Sequence, residues 1–165
     1  MATVYISIGS NQNAEAQIRY GVKRLQEMFS KLELSSVYES EAVGFSGDNF
    51  LNLVAKAQTQ LTISQADQAF KRIEAAAGRR RNVPKFSDRT LDIDLLLYND
   101  LVCDKPVLLP RTEITQHAFV LLPLAEMEPT KLHPIEKRSY HSLWQQFDKK
   151  EQQKLWLVDF DWGQG

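Results

Sequence analysis

The sequence predicts an α+β fold in which helices cover an antiparallel or mixed sheet. Three features carry that expectation: an alternating apolar run at the start, two helical apolar stripes, and two strand-like runs with no helix between them. Consecutive strands fit hairpin-like pairing better than the strand–helix alternation of a doubly wound sheet.

In chain order, Val4, Ile6 and Ile8 alternate with Tyr5 and Ser7, predicting a strand that stops at the turn formers Gly9-Ser10-Asn11. Ile18, Val22, Leu25 and Phe29 recur at helical spacing and predict a helix over about residues 13–30. Leu32–Tyr38 and Phe50–Gln58 read as strands, separated by a loop from Glu39 to Asn49 that carries Gly44 and Gly47. Thr62 and Gln65 form a capping box for a helix that Gly78 stops, with Ala66, Phe70, Ile73 and Ala77 as its buried side. Residues 78–89, GRRRNVPKFSDR, read as an irregular basic loop around Pro84. Leu91–Tyr98 is the most apolar strand candidate. Phe119–Glu126 and Ser142–Phe147 read as short helices, and Leu155–Phe160 as a closing strand with Trp156 packed inward. There are no repeats, low-complexity tracts or linker compositions, so no domain boundary is placed.

Composition narrows the function classes. The 165 residues are 43% hydrophobic and 25% charged, ordinary for a globular chain able to bury its own core. Twenty basic against 21 acidic residues give a net charge of -1, which argues against nucleic-acid binding by bulk charge. No apolar run approaches the roughly 18–20 residues needed to cross a bilayer. The opening MATVYISIGSN lacks a basic leader, and the one cysteine, Cys103, cannot form an internal disulfide. A cytoplasmic location is the expectation.

The segment Arg89-Thr-Leu-Asp-Ile-Asp94 concentrates the chemistry. Strand alternation puts Asp92 and Asp94 on one face and Leu91, Ile93 and Leu95 on the other. Two carboxylates in an apolar strand repel each other and need a positive partner. Magnesium, held by one or two carboxylates plus substrate phosphates, would serve; solvation or pairing with arginines would serve too. Arg79, Arg80, Arg81, Lys85 and Arg89 precede the pair. Arginine's planar fork suits phosphate, so a basic loop feeding an acidic strand fits phosphoryl transfer. A solvated loop with casual ion pairs, or a nucleic-acid contact, are the other readings of those cations. There is no G-x-x-x-x-G-K-[ST], no G-x-G-x-x-G after a strand, no zinc spacing among His117, His133, His141 and Cys103, and no nucleophile elbow.

From Tyr5-Ile-Ser-Ile-Gly-Ser-Asn11 to Phe119-Val-Leu-Leu-Pro-Leu124, and most specifically in Arg89-Thr-Leu-Asp-Ile-Asp94, the chain resembles the 6-hydroxymethyl-7,8-dihydropterin pyrophosphokinases of folate biosynthesis. The resemblance implies a single-domain ferredoxin-like α/β/α sandwich with a central, mainly antiparallel sheet over residues 1–165. It implies transfer of the β,γ-pyrophosphate of ATP to the pterin hydroxymethyl oxygen with release of AMP, by a monomeric enzyme without nucleic-acid or membrane partners. Asp92 and Asp94 would bind two magnesium ions on the ATP phosphates. Arg79 and Arg89 would stabilise the transferred group, and Lys71, Glu74, Arg81, Arg111, Thr112 and His117 would surround the nucleotide. Phe50 and Phe119 would sandwich the pterin, a role whose alternative from the residues alone is core packing. Asn52, Ser40 and the backbone near Val43 would meet its polar edge.

The chain departs from the family pattern in its loops. Phe86-Ser87-Asp88 stands where Trp-Gly-Pro is common, and Lys71 where a glutamine is common. Ser40-Glu-Ala-Val-Gly44 replaces Thr-Pro-Pro-Leu-Gly, and Arg111 and His117 look exchanged. A pterin- or nucleotide-binding module without turnover, or a different magnesium-dependent transferase, are the rival readings.

Overall fold

The structure, a computed structural model, describes residues 1–41, 48–78 and 91–163. Elements follow in the order β1 (Ala2–Ser10), α1 (Ala14–Met28), β2 (Leu32–Leu34), β3 (Val37–Ser40), β4 (Phe50–Thr59), α2 (Ile63–Gly78) and β5 (Asp92–Tyr98). Then come α3 (Glu113–Gln116), α4 (Ala118–Met127), α5 (Tyr140–Gln145), α6 (Lys149–Gln153) and β6 (Leu155–Val158). Among the described residues the strands form one sheet in the order β5-β1-β4-β3-β6, with β2 beside β4. Every pairing is antiparallel, as consecutive strand runs predict.

Alternation along the strands sorts two cores onto the two faces of the sheet. Ile6 and Ile8 of β1, Leu53 and Ala55 of β4, and Ile93 and Leu95 of β5 pack under α1 and α2. The stripes expected from helical spacing are the buried ones: Ile18, Val22 and Leu25 on α1, and Ala66, Phe70, Ile73 and Ala77 on α2. Phe70 is fully buried and meets Phe29 edge-on, so truncating it to alanine would cost about 3–5 kcal/mol. The capping box is present in both directions: Thr62 N–H donates to Gln65 Oε1 at 2.9 Å, and Gln65 N–H donates to Thr62 Oγ1 at 3.2 Å. On the other face Tyr5, Val54 and Leu96 pack with Ile114, Leu121 and Leu124 from α3 and α4, and with Tyr140 of α5. Helix, sheet and helix layers make the sandwich that the resemblance implies.

Several elements differ from the sequence expectation. The run Leu32–Tyr38 is two strands, because three residues separate Leu34 from Tyr38 while two separate their partners Ala55 and Asn52. The extra residue is a bulge, held where Ser35 Oγ accepts the Val54 N–H at 2.9 Å. Strand β1 continues through Gly9 and Ser10, whose neighbours β4 and β5 supply ladder partners that the local turn signal does not reveal. Trp156 is 40% exposed, because Leu155 takes the inward position on an edge strand. Helix α5 begins at Tyr140, two residues before expectation, where Ser139 caps it by accepting the Ser142 N–H. Helices α3 and α6 span 4 and 5 residues, too short to show a periodic stripe. No helix among the described residues is long and apolar enough to cross a membrane.

Candidate active site

Two rows of cross-strand partners build the floor of a cavity on the α4 side of the sheet. In the first, Gly9 on β1 pairs with Asn52 on β4 and with Asp92 on β5, and Asn52 pairs in turn with Tyr38 on β3. In the second, Ser7 pairs with Val54 and with Asp94. Directly opposed residues share a face, so the carboxylates of β5 and the amide of Asn52 stand over one surface. The register of β1 on β5 shifts between Tyr5–Leu97 and Ile6–Leu95, leaving Leu96 as an added residue beside the aspartates. Asp92, Asp94 and Leu96 all line the cavity, while Ile93 and Leu95 face the opposite core, as the alternation predicts.

The cavity has a volume of about 430 Å³. Lys71 and Glu74 on α2 flank it on one side, Phe50 and Asn52 on another, and Arg111, His117 and Phe119 close it near the start of α4. Nine residues expected from the sequence therefore converge here: Phe50, Asn52, Lys71, Glu74, Asp92, Asp94, Arg111, His117 and Phe119. Ser40 lies just beside them, paired with Phe50 at the end of β3. Thr112 is not in the wall; it is exposed and donates its hydroxyl to Glu113 at 3.0 Å. Val43, Arg79, Arg81 and Arg89 fall outside the described residues, as do Arg80, Lys85 and Phe86-Ser87-Asp88.

Opposite charges meet at the aspartate end. Arg111 Nη2 lies 3.3 Å and Lys71 Nζ 3.7 Å from Asp94 Oδ1. Arg111 also donates through Nε to Glu113 Oε2 at 3.0 Å, which fixes its fork against the cavity wall. Burial alone would raise the Glu113 carboxyl, but the hydrogen bond and charge of Arg111 hold it below the usual carboxylate range. Glu74 behaves oppositely. Burial raises its carboxyl, opposed by the Ile93 N–H that donates to Oε2 at 2.6 Å and by Lys71, and reinforced by the charges of Asp92 and Asp94. No group of three or more His, Cys, Asp or Glu among the described residues is arranged to hold a metal by itself. A pair of half-buried carboxylates is nonetheless the donor set suited to magnesium when substrate phosphates and water complete its shell.

The other end of the cavity is aromatic with a polar edge. His117 stacks on Phe119 with centroids 4.8 Å apart and planes 12° from parallel. Asn52 is buried, yet among the described residues its Nδ2 has no hydrogen-bond partner; the Oγ of buried Ser40 likewise has none. Buried polar groups are nearly always satisfied, so these two, diagonal to each other across the β3–β4 ladder, fit groups awaiting a ligand edge. Sequence reasoning overlooked Ser7, Gly9, Leu96, Glu113 and Val120 in this wall. The alternation of β1 that placed Val4, Ile6 and Ile8 would have put Ser7 and Gly9 on the opposite face, whereas Glu113 carries no such local signal.

Carboxylates and cations at one end of a cavity and aromatic rings with unmet polar groups at the other suit an enzyme that joins a phosphorylated substrate to a flat ring. Residues 5–129 match the family model described as 7,8-dihydro-6-hydroxymethylpterin-pyrophosphokinase (HPPK), and the chain belongs to that family. It is 38% identical over 141 residues to the 2-amino-4-hydroxy-6-hydroxymethyldihydropteridine pyrophosphokinase of Aquifex aeolicus, an overlap of 84% of this chain and 88% of the relative. The protein of the same description from Haemophilus influenzae is 32% identical over 132 residues, covering 77% of this chain and 82% of the relative. The crystal structure of wild-type Plasmodium falciparum HPPK-DHPS superimposes with a TM-score of 0.70 at 13% identity, over 92% of this chain and 46% of that one. The chain thus spans less than half of that larger protein, and the likeness speaks for the fold alone.

Proposed function

We propose that this cavity is where the chain transfers the β,γ-pyrophosphate of ATP to the hydroxymethyl oxygen of 6-hydroxymethyl-7,8-dihydropterin, releasing AMP. The observation that carries the assignment is the single cross-sheet row Asn52–Gly9–Asp92, which brings an amide whose Nδ2 has no partner among the described residues and a carboxylate to either side of one glycine. Ring recognition and phosphate handling therefore share one chamber.

Phe50 and Phe119 would hold the pterin between them, with Asn52 Nδ2 and Ser40 Oγ at its polar edge. The backbone at Val43 would complete that edge. Asp92 and Asp94 would hold two magnesium ions, which supply positive charge along the triphosphate. Arg111 and Lys71 draw the triphosphate to the carboxylate end by charge, and Glu74 holds the start of β5 through the Ile93 N–H. Arg79 and Arg89 are assigned to the transferred group and Arg81 to a further phosphate contact, with Thr112 and His117 at the nucleotide's margin. The pterin oxygen attacks the β-phosphorus in line, the bond from that phosphorus to the α-phosphate oxygen breaks, and the hydroxyl proton leaves to water. What the chain's residues contribute is alignment and charge, the main needs of phosphoryl transfer.

Residues 1–165 would act as one domain and as a monomer in the cytoplasm; the single, unpaired Cys103 fits a reducing compartment. Incubation with magnesium, ATP and the pterin, followed by phosphorus NMR, tests the function. AMP and a pterin diphosphate in equal amounts are expected. ADP or free pyrophosphate would assign a different transferase, and bound but intact ATP would mark a binding module.

A further inference from the structure

Helix α4 ends in a way that its own electrostatics oppose. Its last turn contains no basic residue, and Glu126 stands there followed by Glu128. A helix C-terminus carries partial negative charge, so carboxylates are unfavourable at that end unless tertiary contacts outweigh the repulsion. Both have such contacts. Glu128 accepts from the Tyr5 hydroxyl and, at 2.7 Å, from Lys56, tying the helix to β1 and β4. Glu126, otherwise exposed, accepts from the Ser36 N–H at 3.0 Å, the Ser36 hydroxyl at 3.2 Å and the Tyr38 hydroxyl at 2.6 Å.

Tyr38 links the two walls of the candidate ring slot. Its backbone is the ladder partner of Asn52, and Ser40 follows two residues along the same strand face. Its side chain is buried in a small apolar cluster with Ala118 and Leu155, against which Phe119 also packs. Burial and the bond to Glu126 both raise the phenol, so the hydroxyl remains a donor at any working pH. The far end of α4 is thus pinned to the strand that carries one wall, while its near end presents Phe119 as the other.

We propose that Tyr38 and Glu126 are positioning residues for the pterin: their hydrogen bond fixes α4 against β3 and thereby sets the spacing of the Phe119 wall from Asn52 and Ser40. The inference rests on the reading of the cavity as a pterin slot. Among the described residues neither lines the cavity at its carboxylate end, so the effect is specific to one substrate.

Tyr38→Phe and Glu126→Ala test it, with Glu126→Gln as the conservative variant that retains an acceptor. Pterin and magnesium–AMPPNP affinities are measured separately by calorimetry, with the thermal midpoint recorded for each variant. Tyr38→Phe and Glu126→Ala should each weaken pterin binding about tenfold and leave nucleotide affinity within about twofold. Glu126→Gln should recover most of the loss, and the double variant Tyr38→Phe/Glu126→Ala should bind pterin little worse than Glu126→Ala alone, because Glu126→Ala already removes the bond from Tyr38. In turnover, KM for the pterin should rise with kcat nearly unchanged. Unchanged pterin affinity in both single variants would overturn the proposal, as would equal losses for pterin and nucleotide. If the wild type binds nucleotide but no pterin, it is the ring-slot reading that fails.

Discussion

A β-carbon built on Gly9 would overlap the Oδ1 atom of Asn52, with Cγ only 3.4 Å away. The amide of Asn52 therefore lies across the bare backbone of β1, and its Nδ2 is buried with no hydrogen-bond partner among the described residues. Gly9→Ala must turn the Asn52 side chain aside. Pterin affinity should fall about tenfold or more, since a buried polar group would lose its ligand partner. Nucleotide affinity, measured in parallel by calorimetry, should hold.

Asp94 faces two cations, Arg111 and Lys71, in the protein alone. Asp94→Asn removes the negative charge that offsets them and one of the two carboxylates proposed to hold magnesium. AMP formation should drop by at least about 100-fold, the scale of several kcal/mol of charge stabilisation. Binding of free ATP without magnesium should strengthen, because the two cations are released toward the triphosphate. A filter-binding assay with and without EDTA separates these effects.

Glu74 is a carboxylate that folding makes harder to ionise, chiefly by burial. The folded state then binds a proton more readily than the unfolded one, so stability declines as pH rises through the range just above ordinary glutamate values. Glu74→Gln retains an acceptor for the Ile93 N–H and removes the charge. The variant should melt higher than wild type at neutral pH in metal-free buffer, and the gain should vanish below the normal glutamate range. A pH series of calorimetric melts checks it.

His133 has the opposite dependence. It is buried, and burial, partly opposed by Glu136, lowers its pKa. Its Nδ1 accepts the N–H groups of Ile135 and Glu136 at 3.1 and 3.0 Å, a role open only to the unprotonated nitrogen. Stability from this site is complete above about pH 6.5 and is lost as pH falls through the folded value. His133→Asn, which can accept through its amide oxygen, should flatten that acid limb of the stability profile.

Thr62→Ala breaks the reciprocal cap of the helix that carries Lys71 and Glu74. About 1 kcal/mol of stability should be lost in urea unfolding. Turnover at temperatures well below the transition should be unchanged, since the cap is remote from the cavity.

Elements with strong local periodicity were readable from the sequence because one face of each meets a core. The four-residue stripe of α2 and the split of Asp92 and Asp94 from Ile93 and Leu95 are both of this kind. Features that depend on a distant partner were not. The break at Ser35 needs Val54, the outward turn of Trp156 needs the edge position of β6, and the cavity role of Glu113 needs Arg111. Nothing in the order of residues announces that Gly9 must lack a side chain because Asn52 lies over it. The resemblance brought Asn52 and Ser40 into consideration; their partnerless atoms supply the physical reason.

A crystal structure of the protein with magnesium, a non-hydrolysable ATP analogue and 6-hydroxymethyl-7,8-dihydropterin bears most directly on the shared chamber. It should place magnesium against Asp92 and Asp94, the ring between Phe50 and Phe119, and Asn52 Nδ2 within hydrogen-bond distance of the pterin. Ligands fully bound elsewhere, with those aspartates metal-free and the slot beside Asn52 empty, would contradict it.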